Sequence, residues 1–168
     1  MNINKTKACT FTGHRPEKLE GYSEKQVISW LSKQIDEAIS CGYTDFITGM
    51  QRGVDLWVAE IVLQKKEQNK NLRLFAACAF SGMEKGWDKS WIERFNKVMQ
   101  QADGHYYIGK SPSRRAFLKR NEWMVDHASR LIAVYTGARG GTLRTIEYAE
   151  KNELEIFMID ESKYRGAK

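Results

Sequence analysis

The sequence predicts an α/β fold: a Rossmann-like, three-layer α/β/α sandwich around a mainly parallel sheet of about six strands. Three observations predict it. Short apolar runs alternate with amphipathic stretches almost from end to end. The runs show little polar alternation, as strands covered on both faces require. Strand and helix follow one another singly, which is the order of a doubly wound sheet.

Taken in chain order, the first strand is read in "ACTFTG" (8–13), rich in β-favouring residues. The first helix is "SEKQVISWLSKQIDEAISCG" (23–42), with Val27, Leu31, Ile35 and Ile39 at four-residue steps, Ser23 as N-cap and Gly42 past its end. "TDFITG" (44–49) is the second strand and "GVDLWVAEIVLQKKEQ" (53–68) the second helix. "LRLFAACAF" (72–80), "HYYIG" (105–109), "RLIAVYTG" (130–137) and "LEIFMID" (154–160) supply the remaining strands. "DKSWIERFNKVMQQA" (88–102), "SRRAFLKRNEWMVDHA" (113–128) and "GTLRTIEYAEKN" (141–152) supply the remaining helices. With two prolines and no low-complexity linker in 168 residues, one domain over 1–168 is expected. Its core runs from about 8 to 160, and "ESKYRGAK" is expected as a short loose tail.

Composition narrows the function classes. No apolar run approaches the roughly 20 residues of a membrane span, and "MNINKTKACTF" is too polar for a signal peptide. A cytoplasmic location away from the membrane is expected. Cys9, Cys41 and Cys78 lack metal-type spacing and the three histidines are scattered, so neither a metal nor a cofactor is expected. The net charge is +6, and no acid stands between Gly104 and Asn121 while Lys110, Arg114, Arg115, Lys119 and Arg120 crowd there. That cluster is either a solvated helix face or a surface that attracts phosphate.

Ligands of open parallel sheets lie beyond the carboxyl ends of the strands, so the residues just after each strand carry the functional signal. The first strand is followed by "TGHRP", with Gly13, His14 and Arg15. The second is followed by "TGMQRGVD", with Gly49, Arg52, Gly53 and Asp55. The fifth is followed by "YTGARGGT", with Gly137, Arg139, Gly140, Gly141 and Thr142. Glycines admit close backbone approach, helix N-termini favour anions, and arginines match phosphate with planar donors. Three such turns on one sheet edge form a candidate phosphate-binding constellation. Neither a Walker A loop nor the G-x-G-x-x-G fingerprint is present, which argues against P-loop hydrolysis and nicotinamide chemistry.

"FTGHRPEKL", "GMQRGVDLWVAE", "RNEWMVDHASRLIAVYTG" and "RGGTLRTIEYAEK" together resemble the YpsA family of small bacterial Rossmann-like proteins, over about residues 8–160. That family lies in the SLOG superfamily, beside the DNA-processing protein DprA, the LOG phosphoribohydrolases and molybdenum-cofactor carriers. The resemblance implies a nucleotide or nucleotide-derived ligand over the glycine-rich strand ends. "GMQRGVD" and the pair Arg120–Asn121 are similar to DprA segments, which implies that the pair reaches over the pocket although it falls within a helix. In LOG enzymes the glycine-rich turn carries a glutamate three residues after its threonine; here that position is Thr145. Glu147 is two further on, about 200° round a helix, and is expected to point elsewhere.

His14 has no evident nucleophile or paired carboxylate beside it in sequence, so it is expected to line a pocket rather than run a reaction. Trp87 and Trp91 share a helical face; they either pack in the core or leave Trp87 free to stack on a base. The leading expectation is a carrier, sequestering protein or regulator that binds a nucleotide-derived molecule such as an ADP-ribose-like or cyclic nucleotide. The alternatives are a phosphoribohydrolase-like nucleotide hydrolase and a DprA-like binder of single-stranded nucleic acid. Weak, non-specific nucleic-acid binding through Lys110, Arg114, Arg115 and Lys119 is expected beside the first, as is compatibility with a homo-oligomer.

Overall fold

The computed structural model describes residues 2–167. Six strands, β1 (Ala8–Gly13), β2 (Asp45–Thr48), β3 (Arg73–Cys78), β4 (Gly104–Tyr107), β5 (Arg130–Val134) and β6 (Glu155–Met158), form one sheet. Their order is β4-β3-β2-β1-β5-β6 and every pairing is parallel. The helices are α1 (Glu24–Ser40), α2 (Val54–Gln68), α3 (Lys89–Gln101), α4 (Arg114–Asp126), α5 (Gly141–Lys151) and α6 (Glu161–Ala167). Chain order runs outward from β1 to β4 on one side and from β5 to β6 on the other. The switch point therefore lies between β1 and β5.

Side chains alternate across the strands and divide the core. Cys9, Phe11, Phe46, Leu74, Ile132 and Val134 pack with Val27, Leu31 and Ile35 of α1, with α2, and with Phe95 and Val98 of α3. On the opposite face, Leu131 and Ala133 pack with Ile146 and Ala149 of α5 and Tyr164 of α6. Ile47, Phe75 and Ala77 meet Met124 of α4 there. The result is the expected three-layer sandwich.

Local chemistry sets the ends of these elements. Ser23 Oγ accepts from Gln26 N–H at 3.1 Å and Gln26 Oε1 accepts from Ser23 N–H at 2.8 Å, a capping box that starts α1. Gly42, at φ +94°, follows its end. At the amino ends of the strands, opposite the switch-point turns, buried Asp45 is held by Arg73 at 2.6 Å. Arg130 likewise meets its register partner Glu155.

Two expectations are corrected. Of the expected loose tail, residues 161–167 are helical, with Tyr164 buried against α5 and β5, and Lys168 lies outside the described residues. The strands are not all covered on both faces, because the edge strand β4 alternates, with His105 and Tyr107 exposed. Among the described residues no helix is long and apolar enough to cross a membrane.

Candidate functional site

A cleft of about 1020 Å³ opens at the carboxyl ends of β1 and β5, walled by the β1–α1 loop, α4 and the start of α5. Its floor contains a buried charged assembly that begins with the sequence after β2. Thr48 donates its hydroxyl to the Asp55 carbonyl at 2.7 Å, and the Asp55 carboxylate accepts the Gln51 N–H at 3.2 Å. This folds the β2–α2 turn back on itself. Arg120, 4% exposed, enters from α4 and donates Nη1 to the carbonyls of Gly49 and Ala77. Burial pushes the Asp55 carboxyl above its ordinary value and the Arg120 guanidinium below its own; the charge of each partly offsets the shift of the other.

Arg120 also orients its neighbour. Its Nε donates to Asn121 Oδ1 at 2.8 Å. A guanidinium has no acceptor, so the oxygen of the amide must face it and the NH₂ group is turned away. Asn121 Nδ2 lies 3.5 Å from the place a Cβ on Gly141 would take, next to the start of α5.

That start carries the anion-favouring geometry. Gly140, at φ +143°, is the N-cap, and Gly141 and Thr142 open the helix. The first N–H groups of a helix lack internal partners, and its dipole favours negative charge there. A side chain at Gly140 would meet open space, and one at Gly141 would meet ordinary contact with Asn121. Around this terminus the cleft wall holds Arg15, Lys18, Arg114, Arg120, Arg139 and Arg144, six cations, against the two acids Asp55 and Glu147. All but Arg120 of the cations are exposed, and among the described residues none of those five is tied into an ion pair. The same lining includes the apolar side chains of Phe117, Leu118 and Met124 on α4 and Leu143 on α5.

The cleft wall includes Gly13, His14, Arg15, Asp55, Arg120, Asn121, Arg139, Gly140, Gly141 and Thr142. His14, 6% exposed, accepts the Thr136 N–H on Nε2 at 3.2 Å. Burial, and then the charge of Lys18, hold its pKa below the ordinary value. The imidazole therefore links the β1 and β5 turns, and its Nε2 lone pair is already used. Gly13 is needed for packing, since a Cβ there would lie 2.5 Å from Val54 Cγ2. Arg120 is not a solvated side chain on a helix face but a buried one.

Four expected site residues stand outside the cleft wall. Gly49 gives its space to Asp55 and Arg120, whose atoms would lie 2.7 and 2.8 Å from a Cβ. Arg52 turns to Glu17, at 2.9 Å. Gly53, at φ +89°, caps α2 against Pro16, and Gly137, at φ +101°, turns the chain after β5 near Lys163. These glycines serve the backbone path of the turns, which sequence cannot separate from direct approach to a ligand. Trp87 is also away from the cleft: it packs edge-on against Phe95, with ring centroids 5.8 Å apart, within the α2–α3 side of the core.

The cleft wall adds residues that the sequence reading left out of the small-molecule site: Lys18, Gln51, Arg114, Phe117, Leu118, Arg144 and Glu147. A signal for the α4 group existed. Positions 114, 117, 118, 121 and 124 are spaced as one helical face. Glu147, set aside because it is out of phase with the LOG glutamate, borders the cleft from the second turn of α5.

The YpsA family model, described as the YspA SLOG family, matches residues 9–164. The chain belongs to this family. The SPbeta prophage-derived protein YoqJ of Bacillus subtilis is 32% identical over 124 residues, which is 65% of this chain and 71% of YoqJ. A UPF0398 protein of Bacillus thuringiensis is 26% identical over 157 residues, 89% of this chain and 85% of that protein. The YpsA-family fold also superposes on DprA of Streptococcus pneumoniae, with a TM-score of 0.62 at 16% identity over 92% of this chain. DprA of Helicobacter pylori, which binds single-stranded DNA, gives a TM-score of 0.59 at 16% identity over 89% of this chain. The chain spans 50% of the first DprA chain and 64% of the second. At that identity the likeness concerns the fold.

Proposed function

We propose that this YpsA-family chain binds a phosphate-bearing nucleotide or nucleotide-derived molecule in the switch-point cleft, with Gly140–Thr142 as its phosphate-binding loop. One observation carries the reading: five exposed cations, none in an ion pair among the described residues, line the same cleft as the N-terminus of α5, which has no side-chain cap. Charge-assisted bonds from such groups contribute roughly 1.5–3 kcal/mol each, about tenfold to a hundredfold in affinity. With His14 Nε2 occupied by Thr136 N–H and the Cys78 thiol pushed by burial up to about 12, the chemistry favours binding over turnover. The protein would then act in the cytoplasm as a carrier, a sequestering protein or a regulator.

Calorimetric titration of a panel that includes ADP-ribose and cyclic dinucleotides tests this. Gly141→Val, whose Cβ meets only ordinary contact in the free protein, should abolish binding while leaving the fold intact. Arg139→Ala should weaken binding about tenfold or more. Arg52→Ala, at a residue tied to Glu17, should leave it unchanged. Equal affinity in wild type, Gly141→Val and Arg139→Ala would move the site elsewhere. Release of free base from nucleoside monophosphates, lost in Glu147→Gln, would instead establish a hydrolase.

A second reading, binding of single-stranded nucleic acid, is favoured by the exposure of Lys110, Arg114, Arg115 and Lys119, of which Arg114 lines the cleft. Anisotropy with a labelled oligonucleotide should give weak binding that falls as salt rises, and Arg115→Ala with Lys119→Ala should weaken it further. Tight binding that survives high salt would make nucleic acid the principal ligand.

A further inference from the structure

We propose that Phe117 is the residue that recognises the base of the bound nucleotide, an inference that rests on the phosphate cradle described above. The cleft lining combines two kinds of chemistry. The start of α5 offers backbone N–H groups, Arg139, Arg144, Arg15 and Arg114 offer guanidinium groups, and Phe117, Leu118 and Met124 of α4 add apolar side chains. A phosphate or pyrophosphate uses the N–H and guanidinium donors alone. A cleft of about 1020 Å³ whose lining joins these donors to an aromatic ring and aliphatic side chains fits a ligand with a flat, weakly polar group linked to its phosphate, which is the construction of a nucleotide.

Phe117 is built as a platform for that group. It is half-buried, lines the cleft, and lies one helical turn from both Arg114 and Asn121. Phe80 meets it edge-on, with centroids 5.4 Å apart and planes at 79°. The Arg120 guanidinium carbon lies 5.7 Å from its centroid, and Arg120 is itself fixed by the Gly49 and Ala77 carbonyls. A ring held in this way loses little freedom when a base stacks on it. Leu118 and Met124 extend the apolar lining along the same face of α4. Trp87, the other aromatic weighed for stacking, is half-buried and packs against the core, away from the cleft lining.

The test compares pyrophosphate with ADP on the full chain, by calorimetry, in wild type, Phe117→Leu and Phe117→Trp. Leucine keeps an apolar contact for Phe80 but has no aromatic face, whereas tryptophan keeps the face. Wild type should bind ADP more tightly than pyrophosphate. In Phe117→Leu that advantage should fall by about tenfold to a hundredfold, and Phe117→Trp should retain it. An ADP advantage unchanged in Phe117→Leu, or absent from wild type, overturns the base subsite and leaves the anion cradle standing. Failure of wild type to bind pyrophosphate or ADP overturns the cradle itself, and this inference with it.

Discussion

At the scale of single residues, Gly49 and His14 show how a site residue read from sequence takes on a different task in the fold. Gly49 was expected to admit a phosphate, but the hydrogen it carries in place of a side chain makes room for Asp55 and Arg120. Gly49→Ala should therefore lower stability by ~1–3 kcal/mol, as overpacking in a filled interior does, read from urea denaturation. A variant as stable as wild type would show that the buried assembly has slack. His14 predicts a pH effect. Its pKa is held below the ordinary 6.5, so the unfolded chain binds the proton more readily. The stability contributed by neutral His14 is complete above the unfolded value and is lost as pH falls from there through the folded one. Protonation also removes the acceptor used by Thr136 N–H. Unfolding free energy should decline as pH falls below about 6.5, and His14→Ala should flatten that decline. An identical pH profile in the variant would assign the effect to other groups.

At the scale of elements, α4 and α6 depart furthest from what their sequences suggested. The α4 periodicity announces a helix, yet its basic residues divide between tasks: Arg120 is buried beneath the cleft, Arg114 lines it, and Arg115 and Lys119 face solvent. In α6, a segment whose polarity reads as a tail is held by one aromatic side chain. Tyr164 is buried in the α5 side of the core and its hydroxyl donates to Glu150. Tyr164→Ala should cost ~2 kcal/mol in unfolding free energy, the scale of burying a large apolar side chain, measured by chemical denaturation. Unchanged stability would mean that α6 docks without contributing.

At the scale of the whole molecule, the switch between β1 and β5 places the cleft between loops that belong to different parts of the chain. A ligand bound there would join β1, α4 and α5, and binding to the folded state alone raises its stability by mass action. A nucleotide at a hundred times its dissociation constant should add about 2.7 kcal/mol to unfolding. Thermal scans should show the midpoint rising with nucleotide in wild type and remaining fixed in Gly141→Val. A nucleotide-dependent rise in both proteins would remove the α5 terminus from the site.

The sequence alone determined the order of strands and helices from β1 to β6, the sheet class and the turns that border the cleft. These are local matters: apolar runs, four-residue steps, Ser23 and the glycines act over a few neighbours. The start of α5 was legible for the same reason, because an anion-favouring helix terminus is written in consecutive residues. Only the tertiary structure decided what each residue in those turns does. Glycine is demanded equally by a positive φ, by a packed neighbour or by a ligand, and at Gly53, Gly49 and Gly141 the surroundings differ. The burial of Arg120 required Gly49 and Ala77, 71 and 43 residues away in sequence, to present their carbonyls to one guanidinium. The joining of cationic and apolar side chains in one cleft required α4 to lie beside α5, and no local pattern records which helices meet.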